Sequence, residues 1–420
     1  MSDRAHGPGG GAGVDDAPIL ILIDETTAQP AITPDTPLLG LTLIRRAVLA
    51  ARRAGYAWTL LLARAPGPGH DGSASDGVVG RGDGRDLETL TDTGARRLVI
   101  APALVLAEGP WLVAAARQAI PRAGWAGVAG RIAIIDAAAV PTALDGLRHV
   151  RRHPDFEAVE RHLTNRLGAP AQAVDATDIM LVNQPEDLPR ARRRLLRSLV
   201  KESDGFMARH VERPISIALS RWLAETAVTP NRMTVASVAV GVAGAPFFIS
   251  ASPFWQTIGA LLFLAHSILD GCDGELARLK FKESRWGGLL DFWSDNIVHL
   301  AIFSGMALGW TRATGAAWPL AIGALAVLGA GGSAAFVYWR MLRGKSGEGP
   351  LFTSVTSERP EALARLLDGA SRRDFIYLVL ILALFGKSSW FLVLAGIGAP
   401  VYLLLLVIVA WRERPHARAT

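Results

Sequence analysis

The sequence lacks several features that secreted proteins and nucleic-acid-binding proteins use. Its single cysteine, Cys272, excludes an internal disulfide. The first 16 residues have no apolar core of the kind that a signal peptide needs, and their Gly-rich composition predicts a disordered tail over residues 1–16. No basic segment is interleaved with aromatic residues, so the sequence does not favour RNA or DNA as a partner despite its net charge of +6.

Apolar and basic residues are unevenly distributed along the 420-residue chain. Half of the residues are hydrophobic, but long apolar runs begin only near residue 233. Ten arginine and lysine side chains lie between residues 190 and 232, just before the first of these runs. Such a cluster is typical of a juxtamembrane segment on the cytoplasmic side, so we expect basic helices over residues 188–232 that contact the membrane surface.

Short strand-like and helical runs alternate over residues 17–187. PILILI (18–23), WTLLLA (58–63), RRLVIAPALVL (96–106) and GRIAIIDAA (130–138) are apolar enough for buried strands, and residues 36–56 have helical spacing. This alternation predicts an α/β domain with a mostly parallel sheet.

Six apolar runs follow the basic segment and predict an all-α six-helix transmembrane domain over residues 233–412. The long connection from Arg340 to Arg373 and the C-terminal segment are basic, whereas the connections on the opposite side carry few charges. We therefore expect an integral protein of a bacterial or archaeal cytoplasmic membrane, with both termini and the acidic end of the bundle in the cytoplasm. The spans are expected at about 233–251, 254–276, 287–309, 316–342, 374–386 and 389–411.

Four aspartates interrupt this apolar half within the stretch DGCDGELARLKFKESRWGGLLDFWSD, residues 270–295. Asp270 and Asp273 share one helical face, and Asp291 and Asp295 share a face of the next helix. Like charges this close repel one another, and a divalent cation would remove that cost. Oxygen ligands without Cys or His favour Mg²⁺ or Mn²⁺. The alternative is that these acids are solvated loop residues; Cys272, between them, is interpreted as packing.

The same stretch fits D-x2-D-G-x2-A-R-x8-G-x3-D-x3-D, and on this motif the sequence resembles the CDP-alcohol phosphotransferase (CDP-alcohol phosphatidyltransferase) family. The resemblance implies a six-span membrane enzyme that transfers a phospho-alcohol from a CDP-alcohol to an acceptor alcohol and releases CMP. It implies two metal ions held by Asp270, Asp273 and Asp291 with help from Asp295, which is also the general base. Members of this family are often dimers, which makes a homodimer an implied assembly. The motif's other fixed positions are filled by Gly274, Ala277, Arg278 and Gly287.

The resemblance also implies CDP-binding residues. Gly274 and Arg278 match positions that contact the CDP moiety, and Gly287 is the next fixed glycine of the motif. TPNRMT (229–234) resembles an element beside the nucleotide, which makes Asn231 and Thr234 candidates. An alternative for this element is a helix N-cap at Thr229 followed by Pro230.

Basic residues are candidates for binding a phosphorylated acceptor. Arg340 ends the fourth expected span, and Arg372 and Arg373 begin the fifth. Positive-inside anchoring is the alternative role for each of the three.

The first domain resembles sugar-nucleotidyltransferases in residues 35–56 and in VNQPEDLPRARRRLL. The domain order resembles the archaeal bifunctional inositol-phosphate cytidylyltransferase/di-myo-inositol-phosphate-phosphate synthases. The glycine-rich loop expected after the first strand is replaced by IDETTAQPAITP, which has no glycine to cradle a triphosphate. An aspartate expected within IAPALVL is absent, and another aligns with Asn183.

Three hypotheses are consistent with these observations. The first is a CDP-alcohol phosphotransferase in phospholipid or polyol-phosphate biosynthesis, with a first domain that has lost catalysis. The second is a bifunctional enzyme whose first domain also makes the CDP-alcohol from CTP. The third is a membrane scaffold or transporter whose acids bind ions.

Overall fold

A computed structural model describes residues 17–25, 31–62, 79–81, 97–118, 120, 124–128, 131–149, 155–172, 179–201, 204–342 and 375–412. The expected tail over residues 1–16 and the candidate acceptor residues Arg372 and Arg373 lie outside these ranges. The chain divides into two compact units, Met1–Arg194 and Leu195–Thr420. The sequence placed the end of the first domain at Asp187, and the division by compactness falls later in the same helix.

The first unit is built on a seven-stranded sheet with the order β10-β8-β9-β6-β1-β4-β5. β1 lies near the centre and pairs in parallel with β4 and β6. All five residues of β1 are buried, as expected for a strand covered on both faces. The strands are β1 (Ile19–Ile23), β2 (Pro37–Leu38), β3 (Leu41–Thr42), β4 (Trp58–Leu62), β5 (Val79–Arg81), β6 (Arg97–Pro102), β7 (Val105–Ala107), β8 (Trp125–Val128), β9 (Ile132–Asp136), β10 (Ala171–Gln172) and β11 (Ile179–Leu181).

The expected α/β fold is confirmed, with one strand that departs from the parallel arrangement. β9 runs antiparallel to both β6 and β8. Only residues 129–131 separate β8 from β9, and a link this short cannot make the crossover that a parallel pair needs. β2 with β3 and β7 with β11 form two further antiparallel pairs.

Helices cover the sheet. Trp125 and Ile135 from the sheet pack with Leu147 and Leu163 from two helices in one buried core. These helices are α1 (Leu43–Arg53), α2 (Gly109–Arg117), α3 (Val140–His149) and α4 (Phe156–Leu167), and α5 (Asp187–Arg197) crosses the division between the units.

The second unit is helical, and a helix occupies each of the six expected spans. A π-helical turn, Ala208–Glu212, leads into α6 (Arg213–Ala224), which precedes them. The first span, α7, continues as a 3₁₀ segment, Ala245–Ile249, and the fourth, α10, continues as a π-helical turn, Tyr338–Leu342. The six helices are α7 (Pro230–Gly244), α8 (Pro253–Leu279), α9 (Arg285–Thr314), α10 (Trp318–Val337), α11 (Phe375–Leu384) and α12 (Ser388–Arg412).

Three of these helical stretches are long and apolar enough to cross a membrane: Pro230–Ile249, Trp318–Arg340 and Ser388–Trp411. Phe375–Leu384 is a shorter apolar helix. α8 and α9 are also long, but they carry the four aspartates and are therefore less uniformly apolar. The second unit thus has the composition of a membrane protein, in agreement with the sequence.

Candidate active site

Three of the four aspartates come together between α8 and α9. Asp270, Asp273 and Asp291 each offer a carboxylate oxygen, and these oxygens all lie within 4.8 Å of one another. Asp270 and Asp273 are buried, and Asp291 is half-buried. Three carboxylates so close together fit a hard divalent cation, because its charge offsets their repulsion and its preferred ligands are oxygens.

Local sequence explains why the two helices present these acids. α8 continues through the whole first half of the motif and ends at Leu279, so both of its aspartates lie on a regular helix. Ser284 is the N-cap of α9 and accepts a hydrogen bond from Gly287 N at 3.0 Å. α9 therefore begins early enough to place Asp291 in its second turn.

Lys280 holds the end of α8 in place. Its Nζ donates to the carbonyls of Thr226 and Val228 at 2.8 and 2.9 Å, in the turn before α7. This lysine is only 9% exposed, and it donates hydrogen bonds to carbonyls after a helix end that would otherwise lack a donor.

α7 packs against both α8 and α9 and contributes two of the predicted residues. The hydroxyl of Thr234 is buried and donates to Asp273 Oδ2. Thr229 is the N-cap of α7, with its hydroxyl accepting from Arg232 N at 3.4 Å. The TPNRMT segment therefore caps a helix, as one of the two alternatives expected, and it also places Thr234 against an acid of the motif. The role of Asn231 and Thr234 beside a nucleotide stays a prediction.

Two fixed glycines of the motif each adjoin another residue predicted to bind CDP. A Cβ at Gly287 would lie 3.3 Å from Asn231 Oδ1 and 3.0 Å from Ser284 Oγ, so Asn231 and Gly287 are neighbours. A Cβ at Gly274 would lie 3.5 Å from Arg278 Nη1. Of the five residues predicted to bind CDP, Asn231 thus adjoins Gly287, and Gly274 adjoins Arg278. The fifth, Thr234, contacts Asp273.

Asp295 has different surroundings from the other three acids. Among the described residues, the group of carboxylates within 4.8 Å of one another consists of Asp270, Asp273 and Asp291 and does not include Asp295. Asp295 Oδ1 lies 3.5 Å from Nε2 of the buried His266. Asp295 therefore lies against a buried imidazole on the neighbouring helix, a contact that does not define the group formed by Asp270, Asp273 and Asp291.

A buried ionic network that the sequence did not indicate lies behind the motif. Arg213 on α6 donates to Glu275 at 2.8 Å and to both oxygens of Asp204 at 2.9 Å. Ser216 Oγ also donates to Glu275, at 2.7 Å. Because Glu275 is fully buried and lies between Asp273 and Arg278, the network fixes the acid-bearing helix against α6.

The same network shifts the pKa values of its outer members. Burial alone would raise the pKa of Asp204, but hydrogen bonds from Arg213 and from the Lys201 backbone outweigh it and hold the pKa below its usual value. Burial likewise opposes the charge of Arg213, and its two carboxylate partners outweigh burial and raise the pKa of Arg213. Both groups are therefore charged at neutral pH.

Of the candidate acceptor residues, the structure describes only Arg340. It is exposed, and its Nη2 donates to the carbonyl of Ala410 on α12 at 3.3 Å. Cys272 is fully buried, and its Sγ faces the carbonyl of Ser216 at 3.5 Å, which agrees with a packing role.

The region that contains the site is similar to known proteins. Residues 227–356 match the family model described as CDP-alcohol phosphatidyltransferase. The chain is 42% identical over 118 residues to the bifunctional IPC transferase and DIPP synthase of Thermococcus kodakarensis, covering 28% of this chain and 26% of that protein. It is 40% identical over 140 residues to the protein of the same name from Archaeoglobus fulgidus, covering 33% and 28%. The chain thus spans about a quarter of the length of these curated relatives.

A second group of relatives has the name phosphatidylinositol phosphate synthase. The phosphatidylinositol phosphate synthase of Mycobacterium tuberculosis is 28% identical over 193 residues, which cover 46% of this chain and 85% of that protein. Its crystal structure with CDP-DAG bound is similar to 46% of this chain and 94% of that chain, with 24% identity and a TM-score of 0.31.

Proposed function

We propose that this chain, which carries a CDP-alcohol phosphatidyltransferase domain over residues 227–356, is a membrane transferase that uses a CDP-alcohol as donor. The observation that carries the proposal is the convergence of Asp270, Asp273 and Asp291 within 4.8 Å inside the matched region. We infer that these three acids, with Asp295 nearby, hold two Mg²⁺ or Mn²⁺ ions. When bound, such ions neutralise the diphosphate and stabilise the leaving CMP.

The chain's own residues would bind and orient the donor. Arg278 provides a guanidinium for a phosphate, and Gly274 and Gly287 leave the backbone open to close approach. Asn231 adjoins Gly287 and can donate or accept a hydrogen bond there. The Thr234 hydroxyl fixes the orientation of Asp273.

Asp295 is the proposed general base. It would accept the proton of the acceptor hydroxyl while the acceptor oxygen bonds to the β-phosphorus of the CDP-alcohol and the bond from that phosphorus to CMP breaks. Its position one turn beyond Asp291 on α9 brings it next to the carboxylate group without joining it.

We further propose a phosphorylated inositol as the acceptor, because both groups of relatives have names that refer to inositol phosphate chemistry. The candidate acceptor residues Arg340, Arg372 and Arg373 stay predictions, as do the homodimer and the cytoplasmic side of the site.

The direct test measures CMP release by the purified full chain with Mg²⁺. CDP-diacylglycerol and CDP-inositol would serve as donors, each with inositol 1-phosphate as acceptor. We expect CMP with at least one pair, its loss in EDTA and its return with Mg²⁺ or Mn²⁺. CMP formed in the presence of EDTA would contradict the metal site, and an Asp295→Asn chain with full CMP release would contradict Asp295 as the general base. No CMP from the wild-type chain with either donor would favour the scaffold or transporter hypothesis.

A second candidate is the bifunctional enzyme, favoured by the names of two relatives. Two features of the sequence are evidence against it. The residues after β1 lack the expected glycines, and Asn183 stands where a second carboxylate is expected. The Asp295→Asn chain separates the two. Given CTP and inositol 1-phosphate, we expect no pyrophosphate from it, and pyrophosphate release would establish the bifunctional enzyme.

A further inference from the structure

His266 is a buried polar side chain with no role in the proposed reaction so far. It lies on α8, one turn before Asp270, and is 2% exposed. Its Nε2 faces Oδ1 of Asp295, which belongs to α9, at 3.5 Å. Its ring lies parallel to Phe263, with ring centroids 6.4 Å apart. A histidine therefore joins the helix of the first two acids to the proposed general base.

The position of the hydrogen on this imidazole follows from its neighbours. An ionised carboxylate only accepts hydrogen bonds, so the nitrogen that faces Asp295 carries the hydrogen. His266 Nδ1 is buried and has no hydrogen-bond partner among the residues that the structure describes. A hydrogen on Nδ1 would be a buried donor without an acceptor, which is unfavourable. Both arguments select the Nε2–H tautomer.

A glycine on the neighbouring helix fixes the ring. A Cβ at Gly241 of α7 would lie 2.9 Å from His266 Cγ and 2.6 Å from Val298 Cγ1. Since real Cβ atoms do not approach this closely, the imidazole occupies space that only a glycine leaves open. The ring is thus held from α7 while its Nε2 points across to α9.

We propose that His266 is a positioning residue for Asp295. Its Nε2–H faces Oδ1 and sets the orientation of the carboxylate that takes the proton of the acceptor hydroxyl. This role rests on the proposed function, because it concerns how well the general base is oriented. It predicts an effect on the chemical step and none on the metal site or on donor binding.

Two substitutions of similar polarity test the geometry. In His266→Gln the side-chain amide nitrogen can reach the place of Nε2, whereas in His266→Asn it reaches only the place of Nδ1. We expect His266→Asn to lower kcat roughly 10–100-fold. We expect His266→Gln to restore kcat to within about fivefold of the wild-type chain, with KM for the CDP-alcohol unchanged in both.

Two further measurements separate positioning from packing. Mn²⁺ affinity, followed by electron paramagnetic resonance of the free ion, should stay within about twofold of wild type in both variants. In an Asp295→Asn background, His266→Asn should cause little further loss, because the base that it orients is already gone. A full second loss in that background would show that His266 acts independently of Asp295 and would overturn the proposal.

The outcomes also separate this inference from the proposed function. A wild-type chain that releases no CMP from either donor overturns the function and the role of His266 with it. An active wild type with equal kcat for His266→Gln and His266→Asn overturns the inference alone. A tenfold loss of Mn²⁺ affinity in both variants would also overturn it, since His266 would then support the metal site.

Discussion

At the scale of single residues, the most informative contact of the site is the one between Thr234 and Asp273. Its hydroxyl donates to Asp273 and its side chain is buried, so the bond is shielded from water. Removing a partner of this kind from a metal-binding carboxylate typically costs about 10–100-fold in metal affinity or activity. The sequence suggested Thr234 only as a contact to the nucleotide, and the structure adds the contact to an acid.

Thr234→Val keeps the shape of the side chain and removes the donor. We expect Mn²⁺ affinity, measured by electron paramagnetic resonance, to fall roughly 10-fold or more, with CMP release falling in parallel. Thr234→Ser keeps the hydroxyl and is the matched control, expected near wild type. Equal Mn²⁺ affinity in the Val and Ser variants would show that the hydroxyl bond does not support the metal site.

The ionised carboxylate of Asp204 contributes to stability. Its folded-state pKa lies below the unfolded value of 3.8, so its contribution is fully present above that pH and is lost as the pH falls through the lower folded-state pKa. We expect Asp204→Asn to lower the free energy of unfolding at pH 7 by about 1.5–3 kcal/mol, since a charged hydrogen-bond partner of the half-buried Arg213 is lost.

Thermal unfolding in detergent between pH 7 and pH 3 measures this effect. The difference between wild type and Asp204→Asn should shrink once the pH falls below 3.8. Glu186→Gln, at an exposed carboxylate of the first unit, is the control and should change little. A difference that stays constant down to pH 3 would exclude the Arg213 pairing as its source.

At the scale of helices, close packing of the second unit depends on glycine. Gly305 and Gly309 of α9 lie directly against the backbone of the 3₁₀ segment Ala245–Ile249. A Cβ at Gly309 would overlap the carbonyl oxygen of Phe248, which is backbone and cannot rotate away. This contact fixes the far end of α9, whose near end carries Asp291.

Gly309→Ala is therefore expected to destabilise the second unit by about 1–3 kcal/mol. Gly398→Ala on α12 is the matched control, because a Cβ there meets nothing within 4 Å. Alanine at that helical position should be neutral or stabilising by up to about 1 kcal/mol. Equal melting temperatures of the two variants in detergent would contradict close packing at Gly309.

The elements differ in how far the sequence predicted them. The two acid-bearing helices were predictable because their aspartates lie within one 26-residue stretch and repeat at helical spacing. The Arg213–Glu275 pair was not, because its members are 62 residues apart and Arg213 resembles any other member of a basic cluster. β9 was predicted as a strand, but its direction depended on β8, a four-residue strand too short to stand out.

At the scale of the whole molecule, the orientation of the second unit in the membrane can be tested with introduced cysteines. Cys272 is the only cysteine and is fully buried, so introduced cysteines can be labelled in a Cys272→Ala background. Ser252 precedes α8 and Glu283 precedes α9, and both are exposed at opposite ends of α8. If the acidic end faces the cytoplasm, these two positions lie on opposite sides.

Labelling intact cells with a membrane-impermeant maleimide tests this orientation. We expect Ser252→Cys to react in intact cells and Glu283→Cys to react only after permeabilisation. The Cys272→Ala chain is the background control and should not be labelled. The reverse pattern would place the active site outside the cytoplasm and would remove the basis for a cytoplasmic CDP-alcohol.

The five residues that join α8 to α9, 280–284, constrain how this protein can change over evolutionary time. Each residue added to or removed from a helix rotates the later part of that helix by about 100° around its axis. A one-residue insertion near this link would therefore rotate Asp291 away from Asp270 and Asp273. Replacing an exposed side chain such as Lys282 would leave the positions of all three aspartates unchanged. Outside Lys280 and Ser284, whose side chains hold the two helix ends, the eight-residue gap inside the motif can thus change in residue type but not in length. Descendants of this sequence should differ there by substitution alone.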